Sequence, residues 1–354
     1  MIGADEMKEP TRTEHISTPS LHDRQGIDQG MDTQDTTNDF DRIDLTGMAA
    51  RIGRTHLRQR LGLEGDHEVF VLRRPGAHFF YPENWYSVHG VIRACLRISG
   101  LYARAQRNAR SIQVKHHRVD IANLPSAFDG FRILHLTDLH VDMESRNTHA
   151  ISECVRGLNY DLCVLTGDYR ARTFGPIAQV LAGMATIRLQ LKGPVYGVLG
   201  NHDTLRLVPG LEALGIRLLL NEAVVIERDG QLIHLAGVDD AHYYQVHNID
   251  RASAEIPDEA VSILLSHTPE IYRLAAHAGF DLMLSGHTHG GQICLPGGVP
   301  IVWDARCPRA MASGSWRYNA LIGYTSVGAG TSVVNARLNC LPEVTLHELR
   351  RAPL

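Results

Sequence analysis

The sequence predicts an α/β protein of two packed sheets covered by helices, on three observations. From residue 119 onward, short apolar runs alternate with stretches of helical period, the texture of strands joined by crossover helices. Further on, two β-like runs at 223–227 and 231–236 straddle Asp229-Gly230, a hairpin dipeptide. Five of the apolar runs end in polar clusters of Asp, Asn and His, where open α/β sheets gather their ligands.

The 354-residue chain is long enough for one large domain with an appendage, and its 44% hydrophobic and 21% charged content is that of a globular protein. No run of eighteen apolar residues occurs, so no membrane-spanning helix is expected. Residues 1–10 lack the apolar stretch of a secretory signal. Six cysteines show no C-x-x-C pair, and Cys163 lies inside an apolar run, so reduced, buried thiols and a cytoplasmic setting are expected.

Taken in order, residues 1–45 are acidic and polar, with nothing to build a core, and read as a disordered tail. Residues 46–118 reverse the sign. Arg51, Arg54, Arg58 and Arg60 precede an aromatic patch, Phe79-Phe80-Tyr81-Pro82 and Trp85-Tyr86. An amphipathic helix follows, with Val88, Val91, Ile92, Cys95, Leu96, Ser99 and Tyr102 on one face and Arg93, Arg97, Arg104 and Arg107 on the other. Such a helix either lies on an anionic membrane surface or packs its apolar face on the rest of the protein. No nucleic-acid recognition motif accompanies the arginines, so no nucleic-acid partner is expected.

Within 119–354 the strand at 131–136 ends in Thr137-Asp138-Leu139-His140. A helix carrying Ala150, Ile151, Cys154, Val155 and Leu158 leads to a strand at 161–166 that ends in Gly167-Asp168. A helix at about 176–190 leads to 194–199 and Gly200-Asn201-His202-Asp203. After the hairpin, 262–266 ends in His267-Thr268-Pro269, and 280–284 ends in Ser285-Gly286-His287-Thr288-His289-Gly290-Gly291-Gln292. A Gly/Pro-rich loop at about 290–320 and strands at 321–326 and 343–346 complete the domain.

Asp or Asn after a strand is most often a turn or cap residue, and a single His there is most often a hydrogen-bonded loop residue. Their recurrence at successive strand ends points instead to metal. A mixed oxygen and imidazole set suits Mn, Fe or Zn, with manganese the leading choice. Eight candidates, Asp138, His140, Asp168, Asn201, His202, His267, His287 and His289, exceed one coordination sphere and match two divalent ions sharing a carboxylate.

The order Asp138-x-His140, Gly167-Asp168, Gly200-Asn201-His202-Asp203, His267, Gly286-His287-x-His289 resembles the calcineurin-like metallophosphoesterase family over about 130–350. With the approach Leu124-Pro125 and Phe128-Asp129-Gly130-Phe131, it is similar to a bacterial branch of membrane-associated phosphodiesterases that includes a UDP-2,3-diacylglucosamine hydrolase of lipid A synthesis. The resemblance implies a four-layer α/β/β/α sandwich of two mixed sheets. It also implies that Asp138, His140 and His289 hold one ion, that Asn201, His267 and His287 hold the other, and that Asp168 bridges. His202 would then face the phosphate, as general acid or as stabiliser of the phosphoryl oxygens, with Asp203 orienting it. The implied activity is hydrolysis of a phosphodiester or pyrophosphate by a metal-bridging hydroxide, on a phosphorylated and lipid-linked substrate at the inner face of the membrane. A soluble nucleotide as substrate and a non-catalytic membrane-surface scaffold are the alternatives. Arg306, Arg309 and Arg317 are candidate phosphate clamps or plain surface charge. The acidic tail departs from the branch, whose members often begin with a hydrophobic or twin-arginine segment.

Overall fold

Alternation within the strands decides the architecture. Successive strand side chains point to opposite faces, so a strand buried on both sides serves two cores. The computed structural model describes residues 44–73, 86–302 and 304–352. Its first sheet has the order β1 (Gln113–Ile121), β14 (Glu343–Arg351), β2 (Arg132–Leu136), β3 (Leu162–Leu165), β4 (Val195–Gly197) and β5 (Ile216–Leu218). β14 runs antiparallel to β2, and β2 to β5 are mutually parallel. The second sheet has the order β12 (Gly314–Tyr318), β13 (Leu321–Thr325), β9 (Leu282–Ser285), β8 (Ser262–Leu265), β7 (Gln231–Gly237) and β6 (Glu222–Arg228), parallel from β13 to β7. A small ribbon, β10 (Cys294–Leu295) with β11 (Val299–Pro300), stands apart.

Ile133, Leu162, Val164, Ile263, Leu265, Leu282 and Leu284 fill the core between the sheets. Their neighbours Leu134, Cys163 and Leu165 face the other way, under α1 (Leu45–Ile52), α2 (Arg54–Arg73), α5 (Ser145–Val155), α6 (Ala178–Arg188) and α7 (Leu207–Ala213). Leu264 and Met283 face a third core beneath α8 (Ile249–Ser253) and α9 (Tyr272–His277). Three cores between four layers give the α/β/β/α sandwich. The C-terminal ends of β2, β3, β4, β8 and β9 converge on one edge of it.

Several boundaries differ from the sequence reading. β1 crosses residue 118, so the sheet begins at Gln113 rather than at 119. Its exposed positions are Gln113, Lys115, His116, Arg118 and Asp120, which hide the strand, while Val119 and Ile121 are buried. β12 lies inside the stretch read as a loop, as an edge strand with Trp316 buried. The tail reading falls on residues outside those described, except at its end, where Asp44 caps α1 by accepting from the amides of Thr46 and Gly47. The aromatic patch at 79–85 lies outside the described residues as well. All six cysteines are free. Among the described residues, no helix is long and apolar enough to cross a membrane.

The basic amphipathic segment forms two helices, α3 (Tyr86–Ile98) and α4 (Tyr102–Asn108), broken by Gly100 at φ 71°. Ile92, Leu96 and Ala105 pack against Ile293, Val334 and Leu338. Tyr102 of the stripe joins this contact, whereas Val91 is 61% exposed and Ile98, beside the stripe, is 87% exposed.

Between the sheets runs a row of imidazoles. His117 Nδ1 lies 2.9 Å from His347 Nδ1, His347 Nε2 lies 3.3 Å from His135 Nδ1, and His135 Nε2 lies 2.8 Å from the Thr166 hydroxyl. Burial pushes His135 down to about 3 and, with the two neighbouring imidazoles, holds His347 well below the ordinary value. The unfolded chain takes up these protons near pH 6.5 while the folded chain does not, so stability present above that pH is lost as the pH falls towards 3. We expect the urea midpoint to drop between pH 7 and 5. The drop should shrink in His135→Gln, by about 1.4 kcal/mol per pH unit at most for one proton. An unchanged slope in that variant would place the acid sensitivity elsewhere.

Candidate metal centre

Each candidate ligand sits where the backbone has just left a strand, and most are held in an uncommon conformation. Asp138 (φ 52°), His140 (φ 41°), Asp168 (φ 55°), His287 (φ 73°) and His289 (φ 50°) all occupy left-handed space. Non-glycine residues rarely pay that cost unless surrounding structure enforces it for function. Two glycines permit the close approach. A Cβ on Gly167 would lie 2.5 Å from the Gly200 amide, and one on Gly286 would strike Thr137 and the Asp138 carboxylate.

The side chains gather in two adjoining groups, Asp138, His140 and His289, and Asp168, His267 and His287. In the first, His289 Nε2 lies 3.3 Å from Asp138 Oδ1 and 3.1 Å from His140 Nε2. In the second, His267 Nε2 lies 3.3 Å from Asp168 Oδ2 and 3.2 Å from His287 Nδ1. Asn201 Oδ1 joins this group, 2.9 Å from both imidazoles. Asp168 Oδ2 is also 3.8 Å from His140 Nε2, so this carboxylate stands between the groups.

The donor set fits divalent cations. His140 Nδ1 and His267 Nδ1 each lie 2.7 Å from a carbonyl, of Arg170 and Thr166 respectively, which fixes the ring proton there and turns the Nε2 lone pair inward. The oxygens of Asp138, Asp168 and Asn201 and the inward imidazole nitrogens then converge, and Asp138 Oδ1 is buried without a hydrogen-bond partner. Carboxylate, amide oxygen and imidazole without thiolate is the set expected for borderline metals.

Burial alone would raise the Asp168 carboxyl, but His267 and His202 beside it hold it well below the usual carboxylate range. Burial likewise would lower His267, and Asp168 instead lifts it to about 10. Burial dominates at His287 and His289, which stay well below the ordinary imidazole value and are neutral, the form that ligates.

His202 belongs to neither group. Its Nε2 is 4.0 Å from Asp168 Oδ2, its amide donates to Asp168 Oδ1 at 3.0 Å, and its Nδ1 lies 3.3 Å from the Thr173 hydroxyl. The expected orientation of His202 by Asp203 is corrected here. The Asp203 carboxylate accepts from the amides of Asp168 (2.8 Å), Tyr169 (3.0 Å) and Gly200 (2.8 Å), so it ties the β3 and β4 loops together instead.

Sequence reasoning missed His242. Its ring lies 4.2 Å from that of His287, between Glu270 (3.0 Å) and Asp304 (3.8 Å). Burial would lower it, yet the bonds to Asp304 and Glu270 raise it to about 10, which sets a cation at the rim of the second group. The available signal was Asp239-Asp240-Ala241-His242 at the end of β7, a sixth polar strand end. Of the arginines considered as clamps, Arg306 is next to this rim, its amide donating to Glu270 at 2.6 Å. Arg317 is exposed on the edge strand β12.

Two packed sheets that bring Asp, Asn and His from five strand ends into two adjoining groups are the arrangement of a metal-dependent phosphoric ester hydrolase. The family model for calcineurin-like phosphoesterases matches residues 131–291. The chain is 30% identical to the uncharacterized metallophosphoesterase YkoQ of Bacillus subtilis, over 70% of this chain and 93% of that protein. It is also 30% identical to the phosphodiesterase YaeI of Escherichia coli, over 62% of this chain and 82% of that one. The chain belongs to the calcineurin-like metallophosphoesterases.

Proposed function

We propose that the protein hydrolyses a phosphodiester or pyrophosphate bond in a lipid-linked substrate presented at an anionic membrane surface, with UDP-2,3-diacylglucosamine the first compound to test. The observation that supports the lipid part is an apolar surface beside the metal centre. The chain leaving His289 carries Leu295, Val299, Ile301 and Val302, all exposed, with Ile301 at 60% and Val302 at 67%. This segment stays close to the site, since a Cβ on Gly291 would lie 3.1 Å from the Val302 carbonyl. α3 packs on the same stretch through Ile293 and adds exposed Val91 and Ile98. Arg93, Arg97, Arg104 and Arg107 are exposed on α3 and α4. Apolar side chains for the acyl boundary, with guanidinium groups for anionic headgroups, suit a surface-seated enzyme.

At the reacting end, Asp138, His140 and His289 would hold one ion and Asn201, His267 and His287 the other, with Asp168 reaching both. Manganese heads the candidates, with iron and zinc compatible with the same donors. Such ions, when bound, acidify water and neutralise phosphoryl oxygens. His202, outside both groups, is free of coordination. Burial pushes it down to about 4, so it is neutral at pH 7. Its Nδ1 side is taken up by the Thr173 hydroxyl, and its Nε2 faces the Asp168 side where a phosphoryl oxygen would approach, to hydrogen-bond that oxygen or the leaving group. Asp203 holds the two loops in register, and His242 offers a cation to the departing part of the substrate.

Release of UMP from UDP-2,3-diacylglucosamine in mixed micelles, together with co-sedimentation on anionic vesicles, tests this reading. Chelator-sensitive release with vesicle binding is expected. Hydrolysis of soluble nucleotides alone, with no vesicle binding, would remove the lipid while keeping the chemistry.

A further inference from the structure

The helix α2, whose Arg54, Arg58 and Arg60 stood out in the sequence only as part of a basic stretch, grips the loop that carries Asn201 and His202. Three side chains spaced four residues apart, hence on one helix face, meet that loop in order. Arg60 Nη2 donates to the Asp203 carbonyl at 2.8 Å, Glu64 Oε1 accepts from the Leu205 amide at 2.9 Å, and Glu68 lies 3.6 Å from Arg206. Arg60 is wholly buried. Its guanidinium lies over the Tyr244 ring at 3.5 Å, and its Nε is 3.3 Å from Glu64 and 3.5 Å from Asp239. His56, one turn earlier, lies 3.0 Å from the same Asp239 carboxylate.

A helix that only needed to cover the sheet has Met48, Ile52 and Leu57 of α1 and α2 for the purpose. Removing a guanidinium from water is costly unless carboxylates and a ring compensate it, as three groups do here. The compensated donor is spent on the carbonyl of Asp203, whose carboxylate already holds the amides of Asp168, Tyr169 and Gly200. Asp203 is thus fixed from both ends. His202, its neighbour, donates its amide to Asp168 Oδ1 at 3.0 Å, so a shift of Asp203 moves His202 and Asn201 against Asp168.

We propose that Arg60 is a positioning residue for the hydrolysis, and that α2 is a built-in brace for the Asn201–His202 loop. The proposal rests on the phosphoester reading above. It makes the segment that includes α2 part of the working site rather than a detachable anchor.

The test uses the full chain carrying Arg60→Met, Arg60→Met with Glu64→Gln, or Arg60→Lys. The double variant leaves no carboxylate stranded at position 64 and keeps an oxygen for the Leu205 amide. Three quantities are read: amide hydrogen exchange across 200–206, bound Mn2+, and kcat and KM on bis(p-nitrophenyl) phosphate. In the folded double variant, exchange across 200–206 should quicken, and kcat should fall on the order of 100-fold as expected for a small misplacement. KM should stay nearly constant, and Arg60→Lys should recover part of kcat. A double variant with wild-type melting and near-wild-type kcat overturns the proposal, as does one with unchanged exchange across 200–206. If the wild type hydrolyses no phosphoester, the functional reading fails by itself, and the exchange data still decide whether the brace exists.

Discussion

Asp168→Asn should all but abolish turnover, with a loss of 10³-fold or more, on the order of removing a principal electrostatic contributor. Three features of this residue set that expectation. Its Oδ2 lies 3.3 Å from His267 and 3.8 Å from His140, one imidazole from each ligand group, so a single charge serves both. Its carboxyl is held well below the usual range, chiefly by His267 against the effect of burial, so it is fully charged at neutral pH. Its Oδ1 accepts the His202 amide, so the same side chain also seats the loop. An amide keeps the shape and one oxygen but removes the charge that would offset cations held by both groups. Metal analysis of the purified variant should therefore show weakened binding at both positions. Retention of both ions with near-normal kcat would show that Asp168 does not bridge.

The second large effect is expected at His202. His202→Ala should lower kcat by roughly 10²–10⁴-fold, the usual scale for a positioned proton donor or acceptor, while leaving the bound metal unchanged. The distinction follows from geometry. His202 lies outside both ligand groups, and its Nδ1 turns to Thr173. Removing its ring takes no donor from either group. Loss of metal from the variant would reassign His202 as a ligand. A pure kcat loss would separate it from His267 and His287, whose alanine variants should lose metal.

How much of this was legible in the sequence depends on how local the determinants are. The convergence of these side chains was legible because the period of a buried strand, the turn after it and the donor type all sit within about six residues, as in 131–136 followed by Asp138 and His140. Layering was legible for the same reason, since Leu162 and Val164 face one core and Cys163 and Leu165 the other. β1 was not, because half its residues face outward and its partner β14 lies at the far end of the chain. The role of Arg60 was not legible, since its partners Asp203, Asp239 and Tyr244 are remote in sequence. A buried cation is indistinguishable from a surface one until its compensating groups are known. Asp203 invited a second role beside His202 by adjacency, whereas three backbone amides had a stronger use for its oxygens. His242 stayed hidden because Glu270 and Asp304, the carboxylates that surround it, are remote in sequence.

The most direct measurement is a metal titration of chelator-stripped protein with Mn2+, counting bound ions while following hydrolysis of bis(p-nitrophenyl) phosphate. Turnover that rises with the second equivalent and saturates at two ions per chain is expected from the two adjoining ligand groups. Full turnover with one ion or none, or unchanged saturation in Asp168→Asn, would contradict a dinuclear centre bridged by that carboxylate.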